Sequence, residues 1–67
     1  MWHLTQRKNG ELVETKSFEF VDIKKAVGLY KAIGYEEDTF FTVPEWNRYC
    51  LIRQDDYDYL EVFLEED

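Results

Sequence analysis

Carboxylates crowd the second half of this chain and are the residues best able to do chemistry there. Residues 36–67 carry eleven Asp and Glu against two Arg, whereas residues 1–35 carry four acids against six Lys and Arg. Side chains on one face of a β-strand recur at roughly 6.6–6.8 Å, which is comparable with the separation of neighbouring phosphates along one nucleic-acid strand. Carboxylates on a sheet and its loops can therefore imitate a track of phosphates.

The net charge of −7 decides which partners the chain can approach. A negative field repels nucleic acid and anionic membranes, and it steers the protein toward basic partners. Aromatic side chains among the acids can act as anchors at a protein interface. We therefore predict a surface that binds a basic protein, such as a nucleic-acid-binding enzyme complex. Its candidate residues are Glu36, Glu37, Asp38, Glu45, Trp46, Asp55, Asp56, Tyr57, Asp58, Tyr59 and Glu61.

In size, acidity and aromatic content, the chain resembles the small phage-encoded inhibitors of bacterial defence, the anti-CRISPR and anti-restriction DNA mimics. The resemblance implies an inhibitor that occupies the basic surface of a nucleic-acid-handling enzyme and displaces its substrate. Two alternatives stay open. The acids can serve solubility alone, or the protein can be a structural or assembly module that homodimerises by hiding an aromatic sheet face or by pairing strand edges.

Residue types that usually carry catalysis are scarce. Cys50 is the single cysteine and His3 the single histidine. Negative surroundings raise the pKa of a thiol, which makes the thiol less reactive because only the thiolate is nucleophilic. We expect Cys50 to be a small core residue and His3 to face solvent. The cluster of Asp55, Asp56 and Asp58 lacks the central Gly and distal Glu of a calcium loop, so these residues are expected to form a turn. We predict no catalytic residue, metal or cofactor.

Turn signals and periodicity predict the elements that position these residues. Asn9-Gly10 lies between two strand-like runs and predicts a type I′ hairpin of strands over 2–8 and 11–18. A helix from Asp22 as N-cap to Gly34 as C-cap follows from one apolar stripe, which consists of Ile23, Ala26, Val27, Tyr30 and Ile33. Gly28 inside this helix predicts close packing of helix on sheet.

Three further strands are predicted in the acidic half, over 39–43, 48–53 and 57–64. Pro44 ends the first of them, and a tight turn over 54–56 joins the other two. On the last strand, Leu60, Val62 and Leu64 suit the core, and the opposite face then carries an aromatic and acidic mixture of Tyr57, Tyr59, Glu61, Phe63 and Glu65. On the preceding strand, the same alternation predicts Cys50 and Ile52 on the core side, and Tyr49, Leu51 and Arg53 on the opposite face. Residues 65–67 form an acidic tail that is expected to fray.

The predicted architecture is a single compact α+β domain over residues 1–67. The element order is β-β-α-β-β-β, with a small antiparallel sheet and one helix packed on one face, because a lone helix can shield only one side. No apolar run approaches the roughly 18 residues of a membrane span, and the N-terminus lacks a secretory signal. We therefore expect a cytoplasmic protein with a reduced thiol.

Overall fold

Five strands and one helix follow one another in the predicted order along the part of the chain that the structure describes. The computed structural model describes residues 1–19 and 22–67. The elements are β1 (Trp2–Lys8), β2 (Glu11–Phe18), α1 (Ile23–Ala32), β3 (Glu36–Glu37), a 3₁₀ turn (Pro44–Trp46), β4 (Arg48–Gln54) and β5 (Tyr59–Glu66). The strands form one antiparallel sheet in the order β2-β1-β5-β4-β3. The predicted fold class, a small antiparallel sheet with one helix, is confirmed.

The first hairpin forms where the turn residues predict it. Asn9 has a φ of 52° and Gly10 a φ of 83°, the pair of positive values that a type I′ turn requires. The strand bounds also agree with the prediction. The register with β1 shifts between Gln6 and Arg7, so that Val13 of β2 has no partner opposite it.

Both ends of α1 carry the predicted caps. The Asp22 side chain accepts a hydrogen bond from the Lys25 N–H at 3.3 Å, and Gly34, just beyond the helix, has a φ of 104°. Val27 is the buried residue of the helix, while Ile33 remains exposed despite its place in the predicted stripe. No helix in the described residues has the length and apolar character needed to cross a membrane.

Gly28 does not lie at a close helix–sheet contact, which corrects the interpretation from sequence. The residue is exposed, and a Cβ at this position would meet no heavy atom within 4 Å outside the adjoining backbone. We expect Gly28→Ala to raise the free energy of unfolding by about 0.5–1 kcal/mol, because Ala loses less backbone entropy in a helix. Chemical denaturation followed by circular dichroism measures this change.

Gly34→Ala is the matched control for that substitution. The positive φ of Gly34 strains any L side chain, and an added Cβ would lie 3.2 Å from Arg53 Cδ. This variant should be less stable than the wild-type chain. An equal loss of stability in Gly28→Ala would contradict the exposed position of Gly28.

The core lies between α1 and one face of the sheet. Its buried members are Trp2, Leu4, Val27, Tyr35, Leu51, Val62 and Leu64. On β5 the predicted core residues are correct. On β4 the predicted sides are reversed, because Leu51 pairs with Val62 whereas Cys50 pairs with Phe63 on the opposite face. Cys50 is nevertheless buried completely, as expected.

The third strand is not at 39–43, where alternation predicted it. It consists of Glu36–Glu37, which pair with Ile52 and Leu51 of β4. The following residues turn instead, because Asp38 satisfies their backbone locally. Its carboxylate accepts from the Phe40 N–H at 3.0 Å, and its carbonyl accepts from the N–H groups of Phe41 and Thr42.

The last strand begins and ends two residues later than predicted, at Tyr59–Glu66. The connection from β4 is a loop over 55–58, closed by a hydrogen bond of 2.8 Å from the Asp55 N–H to the Asp58 carbonyl. The expected frayed tail is therefore wrong for Glu65 and Glu66, since both pair with β1. Pro44 begins the 3₁₀ turn rather than closing a strand.

Candidate protein-binding surface

The predicted partner-binding residues lie in separate parts of the molecule. Asp55, Asp56, Tyr57 and Asp58 form the β4–β5 loop, and Tyr59 starts β5 beside it. Glu36, Glu37 and Asp38 lie on and just after the edge strand β3, while Glu45 and Trp46 lie in the 3₁₀ turn at the far end of β4. Glu61 is on the sheet face away from the helix, in the middle of β5.

The β4–β5 loop is tied to the first hairpin rather than standing free. Asn9 donates its amide N–H to Asp58 Oδ1 at 3.1 Å and accepts from the Tyr59 N–H at 2.7 Å. Lys8 Nζ lies 3.4 Å from Asp58 Oδ2. Asp58 therefore has a structural role, which is to hold two turns together.

Cations are interspersed among several of the candidate acids. Arg53 pairs with Asp55 at 3.2 Å, and its other terminal nitrogen donates to the Ile33 carbonyl at the end of α1. Lys31 of the helix pairs with Glu37 at 2.8 Å. Exposed pairs of this kind contribute little to stability, but they break the acidic loop and strand into shorter patches of negative charge.

One continuous segment combines acids with exposed aromatic side chains. We call it the acidic-aromatic edge, and it comprises Glu36, Glu37, Asp38, Phe40, Phe41, Glu45 and Trp46. No Lys or Arg occurs between residues 36 and 47. Phe40 is 91% exposed, Phe41 52% and Trp46 72%. The acids and Trp46 are among the residues predicted from the sequence, whereas Phe40 and Phe41 are not, because alternation over residues 39–43 predicts a strand there.

Hydrogen bonds to β4 hold this edge in place. The Asp38 N–H donates to the Cys50 carbonyl at 2.8 Å, and Thr42 Oγ1 both accepts from the Cys50 N–H and donates to its carbonyl, each at 3.1 Å. The N–H groups of Val43 and Arg48 donate to each other's carbonyls. The segment therefore satisfies the outer side of β4 with its backbone and the Thr42 hydroxyl, and its aromatic residues are exposed.

Cys50 lies buried beneath this segment, and its thiol is not activated. Burial, together with the negative charges of Asp38 and Glu61, raises the pKa of this thiol to about 11, and Arg48 partly opposes the rise. The thiol stays protonated at neutral pH, and only the thiolate attacks.

The sheet face away from the helix is mainly polar. It forms a shallow cleft of about 400 Å³, lined by His3, Thr5, Arg7, Arg48, Glu61, Phe63 and Glu65. Arg48 pairs with Glu65 across this face at 3.0 Å. Tyr57 lies in the loop over 55–58 and not on this face, so the face is less aromatic than the sequence predicted, which weakens the case for homodimerisation through it.

A Ser–His–Asp contact at one end of this face was not foreseen. His3 Nδ1 lies 3.0 Å from Ser17 Oγ, and His3 Nε2 lies 2.9 Å from Asp67 Oδ2. Hydrogen bonding to His3 lowers the pKa of the Asp67 carboxyl. The two ring nitrogens are used in the reverse sense of a serine hydrolase triad. Because the Asp67 side chain is largely exposed, water screens its charge, and we assign the contact a structural role.

The acidic-aromatic edge combines three exposed aromatic side chains, four acids with no Lys or Arg in the same segment, and a backbone held by β4. Such a combination can bind another protein without a cofactor or a deep pocket. Comparison of this chain with protein-family models, with curated proteins and with solved structures found no match.

Proposed function

We propose that this protein is a binding module that attaches to a basic surface of another protein through its acidic-aromatic edge. The observation that carries this proposal is the exposure of Phe40, Phe41 and Trp46 within a segment that has four acids and no cation. Exposed aromatic clusters are unfavourable in water and are typical of interaction sites. Aromatic residues are also enriched among the residues that dominate binding energy.

The two kinds of side chain have different roles in this proposal. Phe40 and Trp46 supply affinity, because burying them against a partner removes a large apolar area from water. The acids Glu36, Glu37 and Glu45 provide specificity for a basic partner, because charges at the rim of an interface steer the encounter and repel acidic surfaces. The hydrogen bonds from the edge to β4 reduce the entropy lost on binding, since the backbone is already ordered.

The basic partner that we favour is an enzyme that handles nucleic acid, which this protein would inhibit by occupying a basic patch. The net charge of −7 and the acids along the edge support this finer proposal. A long phosphate-like track is less favoured, because Lys8, Lys31 and Arg53 lie among the acids. Inhibition would therefore depend on one anchored patch rather than on imitation of an extended strand.

Neutralising the acids of the edge tests the proposal. In the variant E36Q/E37Q/E45Q the Asp38 turn is kept intact, and each lost charge pair is worth roughly 0.2–1 kcal/mol. We expect this variant to bind the captured partner about tenfold more weakly at physiological ionic strength. The measurement is capture from a cell lysate on immobilised protein, with elution in a salt gradient.

The variant E11Q/E19Q/D56N is the matched control, because it changes net charge equally at exposed acids outside the edge. The control should elute at the same salt concentration as the wild-type chain. Equal shifts of both variants would show that net charge alone drives capture. That result would refute the acidic-aromatic edge as the binding surface.

A further inference from the structure

The two edges of the sheet differ in how their backbone groups are used. On one side, the two-residue strand β3 is outermost, and the residues that follow it, 38–43, donate to and accept from β4, as described above. On the other side, β2 pairs with β1 and with no other strand of the described chain. Its side chains are mostly exposed, including Leu12 and Val13. An exposed edge of eight residues is a template for a further strand.

An apolar cleft lies beside this open edge. It has a volume of about 330 Å³, and its lining includes Leu4, Phe18, Leu29 and Ile33. Leu29 is 63% exposed and Ile33 58%. Phe18 is the last residue of β2, so whatever pairs with β2 also approaches the cleft and can cover part of it.

The charges of β2 suit a second copy of the same strand. Glu14 and Lys16 lie on one face of β2, with Lys16 Nζ 3.0 Å from Glu14 Oε1, and Thr15 lies between them. We propose that two copies of this chain join β2 to β2 in antiparallel register centred on Thr15, which forms a continuous ten-stranded sheet. In this register Glu14 of each copy faces Lys16 of the other, and opposite charges in such cross-strand positions are stabilising.

Neighbouring registers are disfavoured by the same charges. A slip that keeps every side chain on its face changes the pairing by an even number of residues. The nearest slips place Glu14 opposite Glu14, or Lys16 opposite Lys16, and like charges directly opposite are destabilising. The irregular position Val13 lies outside the central three residues. The charges of the central residues 14–16 are therefore self-complementary in one register, as a two-fold symmetric interface requires, while Glu11 and Glu19 face each other only at the ends of the paired segment.

Charge reversal tests this dimer by sedimentation equilibrium. The wild-type chain should dimerise. In E14K and in K16E like charges face each other, so the dissociation constant of each dimer should be at least about tenfold higher than that of the wild-type dimer. The double variant E14K/K16E restores opposite charges across the interface and should dimerise like the wild-type chain. An equimolar mixture of the two single variants should form a heterodimer, because each supplies the charge that the other lacks.

The side chains of Lys16 and Glu14 are 56% and 40% exposed, so their reversal should leave the fold intact, and circular dichroism checks this for each variant. The variant E36Q/E37Q/E45Q should still dimerise, which separates this interface from the acidic-aromatic edge. A wild-type chain that remains monomeric at its highest soluble concentration would overturn the proposal. Dimerisation unaffected by either single reversal would also overturn it, since the interface would then lie elsewhere.

Discussion

Leu51→Ala is expected to lower the free energy of unfolding by about 2–5 kcal/mol. Leu51 is buried completely and lies opposite Val62 in the centre of the core. Its truncation removes apolar contacts and leaves a cavity that the surrounding strands can fill only in part. For a chain of this length the total stability is typically about 3–10 kcal/mol, so the variant should lose much of it. Urea denaturation monitored by circular dichroism gives the value.

Ile52→Ala is the control for the face assignment of β4. Ile52 lies next to Leu51 but on the opposite face, opposite Glu61, and it is only partly buried. Its truncation should cost clearly less than that of Leu51. A larger loss for Ile52 than for Leu51 would mean that the strand presents its other face to the helix.

The double variant F40A/W46A is expected to weaken partner binding by at least 2 kcal/mol, or about thirtyfold. Both side chains are mostly exposed in the free protein, so their removal should leave the free energy of unfolding nearly unchanged. The loss in affinity therefore reports contact with the partner rather than damage to the fold. Titration of the captured partner against immobilised variant protein measures the dissociation constant.

Tyr57→Ala distinguishes the edge from the β4–β5 loop. Tyr57 is 95% exposed among the loop acids, which were also predicted from the sequence to bind the partner. Its loss should leave the dissociation constant unchanged. If Tyr57→Ala abolishes binding while F40A/W46A binds normally, the partner contacts the loop and the proposed edge is incorrect.

Elements defined by short-range signals could be predicted from the sequence. The hairpin follows from Asn9-Gly10, because few other residue pairs accept two positive φ values. The helix follows from Asp22, its apolar stripe and Gly34, all within a few residues of one another. Residues close together in the sequence determine the positions of the hairpin and the helix, and contacts with distant residues do not alter them.

Features set by contacts distant in sequence could not be predicted. Residues 39–43 alternate like a strand, but the Asp38 hydrogen bonds turn the chain there. The side of β4 that meets the helix depends on its register with β5. The pairing of Lys8 with Asp58 joins residues from opposite ends of the chain. The exposure of Phe40 could not be predicted either, because it depends on the turn that the Asp38 hydrogen bonds form.

Photo-crosslinking from position 40 tests the proposed binding surface most directly. A benzophenone side chain replaces Phe40 in one variant, Tyr57 in a second and Thr5, on the polar sheet face, in a third. We expect the variant at position 40 to become linked to a basic protein in a cell lysate, while the other two give no such product. A crosslink formed from position 57 or position 5, with none from position 40, would contradict the proposed binding surface.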